Sequence, residues 1–149
     1  MSAFVTAGAG FLLAVLWFDL MFDVQAARHE GAELPEPVLA SISAYYARVT
    51  TAARPMNRLV AAAMIGTLAA IVVELTGGLD PAWAVWASLL LALLPISLAG
   101  TRTVPSAVRL GRRRDSPAAQ SVLARGILRE HIVCFVSIAG LIALQLSAL

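Results

Sequence analysis

Four apolar runs dominate the chain: Ala3 to Phe22, broken only by Asp19, then Leu59 to Val73, Ala82 to Thr101, and Ile132 to Leu149. A helix needs about 20 predominantly apolar residues to cross a bilayer core about 30 Å thick. With their flanks, the runs predict spans over about 3–25, 56–75, 82–101 and 127–148. Between the first two, Val38, Ile42, Tyr45 and Val49 recur at helical spacing, with Ser41, Ser43, Arg48 and Thr50 off the stripe. That pattern predicts an amphipathic helix over about 38–54. Such a helix either lies on the membrane surface or runs into the second span as one rod kinked at Pro55. The expected fold is all-α: an integral membrane four-helix bundle with an additional cytoplasmic amphipathic helix before the second span, in a single transmembrane domain over 1–149.

The punctuation agrees with these bounds. Gly31, Pro35 and Pro37 break the chain ahead of the amphipathic helix. Gly77 and Gly78 make a tight turn, and Asp80-Pro81 supplies an N-cap and first residue for the third helix. Ser116-Pro117 starts the last helix before it enters the membrane near His131. Pro95 is expected to bend the third span, and Trp83 and Trp86 to sit at a membrane interface. Ala62, Gly66 and Ala70, and then Ala139 and Ala143 with Gly140 alongside, form small-residue strips suited to close helix contact.

Composition removes the soluble classes. Hydrophobic residues are 60% of the chain and charged ones 13%, against roughly a quarter charged in soluble domains. No Lys or Arg precedes the first run and no small-residue cleavage site ends it, so it is expected to be a retained span rather than a signal peptide. The single cysteine, Cys134, excludes an internal disulfide and cysteine-pair metal or redox motifs.

All 11 basic residues are arginine, and they fall in two places. Arg28, Arg48, Arg54 and Arg58 lie between the first and second runs, and Arg102, Arg109, Arg112, Arg113, Arg114, Arg125 and Arg129 between the third and fourth. The positive-inside rule then puts both connections in the cytoplasm and both termini outside, in a bacterial inner membrane.

Asp19 and Asp23 are the conspicuous pair. Residues four apart share a helix face, and an acid inside an apolar span normally has a partner and often a function. Counting about 1.5 Å per residue from Ala3, Asp19 lies roughly 24 Å across and Asp23 about 30 Å, at the inner boundary of the core. Arg54 with Arg58 and Arg125 with Arg129 reach the same level, so the aspartates are expected to meet arginines in a charged cytoplasmic rim. Surplus positive charge there makes Arg54, Arg58, Arg125 and Arg129 candidates for binding an anion or a lipid headgroup.

Asp19, Asp23 and His131 are the candidate catalytic acids and bases. Metal chemistry would recruit Asp19, Asp23, Glu130 and His131, but Glu130 and His131 are adjacent and about 100° apart on a helix, so no metal is expected. Haem would need His29 and His131, and His29 sits in a hydrophilic loop. No cofactor is therefore expected. Nucleophile elbows, phosphate loops and dinucleotide fingerprints are absent. The Arg112 to Arg114 run reads as a topology and anionic-lipid signal, not a nucleic-acid one. Glu74 and Gln145 are expected to reach the outer interface.

The midplane carries no ionisable residue, which weighs against an ion-coupled transporter. The first functional expectation is a non-enzymatic accessory or interaction subunit that contacts anionic lipid, other membrane subunits or further copies of itself. The alternative is a membrane enzyme acting on a lipophilic substrate, as oxygenases and oxidoreductases do. A small-solute transporter ranks third.

Overall fold

A computed structural model describes residues 2–52, 54–78 and 81–148; for Ser2, Arg54, Pro55 and Ala148 only the backbone is described. Among the described residues there are six α-helices: α1 (Ser2–Asp23), α2 (Glu36–Ala47), α3 (Arg54–Thr76), α4 (Ala82–Leu98), α5 (Val104–Arg112) and α6 (Pro117–Ala148). No strand occurs among the described residues. Among the described residues, four helical units are long and apolar enough to cross a membrane: Ala3–Arg28, Met56–Thr76, Ala82–Arg112 and Pro117–Ser147. This is an all-α, multi-pass membrane protein.

α1, α3, α4 and α6 form a ring in which α1 packs on α3 and α6, and α4 on α3 and α6. Up-and-down connectivity leaves the start of α1, the end of α6 and the Gly77-Gly78 turn at one end, and the arginine-bearing connections at the other. Val5, Ala9, Leu12, Ile71, Val85, Ala92, Ile138 and Leu141 are buried within the ring. Phe4, Ile65, Leu90, Val136 and many other large apolar side chains point outward and are exposed. Outward apolar residues are costly in water but match the acyl chains around a membrane bundle.

A second core caps the arginine end. Leu39, Ile42 and Tyr46 of α2 pack with Ala107 and Leu110 of α5, Ala124, Ile127 and Leu128 of α6, and Ala26 and Leu34 from the α1–α2 connection. α2 is thus a packed element, not a helix lying free on the membrane. Its deepest residues are Leu39, Ile42, Ser43 and Tyr46, a stripe rotated from the expected one, with Val38, Tyr45 and Val49 at its margin. The rotation follows from packing on two sides: helices α5 and α6 both claim a face. At Gly111 a Cβ would lie only 2.7 Å from the backbone nitrogen of Ala47, so the absent side chain permits the α2–α5 approach. Arg113 completes it with an ion pair to Glu36 at 2.8 Å.

α2 continues into a π-helical turn over Arg48–Ala52. Residue 53 and the side chain of Pro55 lie outside the described residues, as does the Asp80 cap expected for α4. Ser116 does cap α6, its Oγ accepting the Ala119 N–H at 3.3 Å. The third apolar unit outruns the expected span: after α4, a π-helical turn over Ala99–Thr103 carries it into α5. Gly78 adopts φ 66 in the turn between α3 and α4, where a residue without a Cβ is needed.

The strip on α3 faces the other way from expectation. Ala62 and Gly66 are exposed and only Ala70 of the three is buried. The close contact is made instead by Gly8, where a Cβ would collide with Oγ1 of Thr67. Gly140 packs against Leu91.

Candidate functional site

Helix rise brings the site together. Asp19 stands sixteen residues after Ala3 on α1, and His131 sixteen residues before Ser147 on α6, so both lie about 24 Å from the same end. The α2 cap then lays Tyr45 and Tyr46 over this level, and the five side chains interlock.

Asp23 is fully buried. Its Oδ2 accepts from His131 Nδ1 at 2.6 Å and its Oδ1 from the Tyr46 hydroxyl at 2.7 Å. Asp19, one turn earlier, accepts from the Tyr45 hydroxyl at 2.6 Å, and its Oδ2 lies 3.9 Å from His131 Nε2. Phe22 stacks on Tyr45 with centroids 4.1 Å apart, which fixes that ring. These hydrogen bonds replace water around the two acids.

Burial, then the Asp19 carboxylate, pushes the Tyr45 phenol well above the usual range. Burial, then Asp23 and Asp19, does the same to Tyr46. Both phenols are therefore held as neutral donors. His131 is held at Nδ1 by Asp23, which leaves Nε2 facing Asp19. An imidazole anchored at one nitrogen and open at the other is the arrangement of an oriented general acid or base.

A largely apolar cavity of about 130 Å3 meets this edge, lined among others by Leu16, Asp19, Met64, Ala99, His131 and Cys134. A second hollow of about 300 Å3 is a surface groove that none of these five side chains lines; its walls are Pro105, Val108, Arg109, Arg112, Arg114 and Asp115. Arg109 is pinned there to Asp115 by two bonds of 2.8 Å.

The expected Asp–Arg rim does not form among the described residues. Arg125 is bound to backbone carbonyls, donating to Ala32 at 3.0 Å, His29 at 3.2 Å and Gly31. It fastens the 29–32 segment to α6, where Ser121 Oγ also accepts the Leu34 N–H at 2.8 Å. Arg58 and Arg129 are exposed, and the side chain of Arg54 lies outside the described residues. Glu130 turns away from His131 and accepts from Thr103 at 2.8 Å. No group of three or more His, Cys, Asp or Glu is placed to hold a metal ion among the described residues.

The sequence pointed to Asp19, Asp23 and His131 and missed the tyrosines. Tyr45 was absorbed into an apolar stripe, and Tyr46 carried no signal beyond being next to it. A hydroxyl-bearing aromatic pair on a helix bordering two unmatched acids was the available clue. Glu74 and Gln145 were also misplaced: both are buried inside the ring, not at the interface.

The chain matches no protein family, no curated protein and no solved structure.

Proposed function

We propose that this is a bacterial inner-membrane protein that binds a lipophilic small molecule with a compact polar head, and that His131 exchanges a proton with that head. The observation that carries the proposal is the cavity of about 130 Å3 bounded by both Asp19 and His131. An apolar cavity of about 150 Å3 holds benzene, so the space suits a single ring or a short chain. Its apolar wall would take the lipophilic part and its polar edge a carbonyl or hydroxyl. Asp23, Tyr45 and Tyr46 are then positioning residues: they fix the imidazole and the neighbouring carboxylate before the ligand arrives. The positive-inside rule puts this end in the cytoplasm, and the exposed Arg58 and Arg129 suit anionic headgroups.

The test is purification in lipid nanodiscs followed by extraction, absorption spectroscopy and mass spectrometry. A small molecule retained by the wild type and lost in a folded Ala99→Phe variant supports the proposal. No retained molecule in the wild type, or equal retention in the variant, overturns it.

A second reading, an interaction subunit, rests on the outward face of α3. Ala62 and Gly66 are exposed there, and nothing lies within 4 Å of the position of a Gly66 Cβ. A small-residue face suits another helix. Crosslinking through cysteines placed at Ala62 and Gly66 separates this reading from the first, because loss of the cavity ligand would leave such crosslinks unchanged.

A further inference from the structure

Inside the ring, toward the end that carries the Gly77-Gly78 turn, three polar side chains from three helices meet. Glu74 of α3 is 1% exposed, Ser88 of α4 0% and Gln145 of α6 3%. Gln145 Nε2 donates to Ser88 Oγ at 3.0 Å and reaches Glu74 Oε2 at 3.5 Å. The Ser88 hydroxyl is itself spent on the Ala84 carbonyl at 2.8 Å. Every side-chain donor in the cluster is thus directed, and two acceptors remain: Glu74 Oε1 and Gln145 Oε1, both buried and without a partner.

The chemistry of what remains is narrow. Buried acceptors without partners are costly, and no basic side chain is near, since all 11 arginines belong to the two connections at the opposite end. The available ligands are a carboxylate oxygen and an amide carbonyl oxygen, backed by a hydroxyl oxygen; none is nitrogen or sulfur. Oxygen donors select hard cations, and a single carboxylate balances a single positive charge. We infer that Glu74, Gln145 and Ser88 form a binding site for a monovalent cation of the sodium type, with Glu74 Oε1 and Gln145 Oε1 as its side-chain ligands. Glu74 lies two residues before the end of α3, about 3 Å by helix rise, so the ion enters from the aqueous phase beside the Gly77-Gly78 turn. The site is separate from the His131 cavity and does not depend on that ligand.

The experiment is thermal unfolding of the full chain in detergent, titrated with sodium chloride while choline chloride keeps the ionic strength constant. A saturable, sodium-dependent rise in midpoint is expected for the wild type, and its loss in Glu74→Gln. Should Glu74→Gln fail to fold, line broadening of the sodium NMR signal by wild-type protein, reversed by excess potassium or lithium, provides the same decision. Equal midpoints in sodium and choline without line broadening overturn the inference. So does a rise retained in Glu74→Gln, or one reproduced without sodium by acidification alone, which would make Glu74 a proton site.

Discussion

His131 Nδ1 lies 2.6 Å from Asp23 Oδ2, which joins the end of the first helix to the middle of the last across 108 positions of sequence. Among the described residues neither makes a closer ion-pair contact, and Asp23 is fully buried. Removing one partner of such a pair leaves the other desolvated and unpaired, at a cost of about 3 to 5 kcal/mol. Asp23→Ala is expected to lose about that much stability. Asp19→Ala should cost only about 1 to 2 kcal/mol, because Asp19 has one close donor and keeps some solvent contact. Denaturant unfolding in mixed micelles ranks the two; equal losses would contradict the asymmetry seen at His131.

A charge swap tests the absent Asp–Arg rim. Asp19→Arg combined with Arg58→Asp is expected to be no better expressed than Asp19→Arg alone, since Arg58 is exposed and the partners of Asp19 are Tyr45 and His131. Rescue by the double variant, measured as folded yield on gel filtration, would restore the ion-pair reading.

The chain has 2 tyrosines, and both are in the site, so phenolate absorption reports on nothing else. Their folded-state values are raised, whereas in the unfolded chain a phenol ionises near about 10. The folded state therefore keeps protons that the unfolded state releases. The stabilisation is complete below about pH 10 and declines as pH rises above it. Phenolate absorption should appear only as helical circular dichroism is lost. A phenolate signal rising ahead of unfolding would place at least one tyrosine in solvent.

Gly8 and Thr67 permit a rescue experiment. A Cβ at position 8 would meet Thr67 Oγ1, with Thr67 Cβ 3.3 Å away. Gly8→Ala is expected to cost about 1 to 3 kcal/mol by overpacking, and Thr67→Ala in the same chain to recover most of it by removing the hydroxyl. Gly66→Ala, with open space around it, should fall within about 0.5 kcal/mol of wild type. Thermal midpoints of the four proteins decide the matter.

Arg125 holds three carbonyls of the 29–32 segment. A guanidinium spreads its donors in a planar fork that an ammonium lacks, so Arg125→Lys is expected to free this segment almost as fully as Arg125→Ala. Limited proteolysis between Arg28 and Glu33 reads the outcome: both variants should be cut several times faster than wild type, with α6 intact.

The four spans were legible because lipid imposes one rule along the whole chain: some twenty residues of continuous apolar helix. The turn at Gly77-Gly78 and the Ser116 cap were legible because their signals are local. Asp19, Asp23 and His131 stood out as ionisable groups in or beside apolar runs. Which groups would meet them was not legible. Arginines at the same depth looked like partners, since depth follows from counting along a helix, but rotation about the helix axis does not. Rotation was settled by the α2–α5–α6 core, which turned Tyr45 and Tyr46 toward the acids and took Arg125 away to backbone carbonyls. Glu74 and Gln145 were hidden for the same reason: a polar residue near a span end can face lipid headgroups or the bundle interior, and only the packing of four helices chose the interior. The sequence by itself thus determined a membrane bundle and the level of its acids. The tertiary structure decided their partners, because hydrogen bonds form between faces, and faces are oriented only when helices pack.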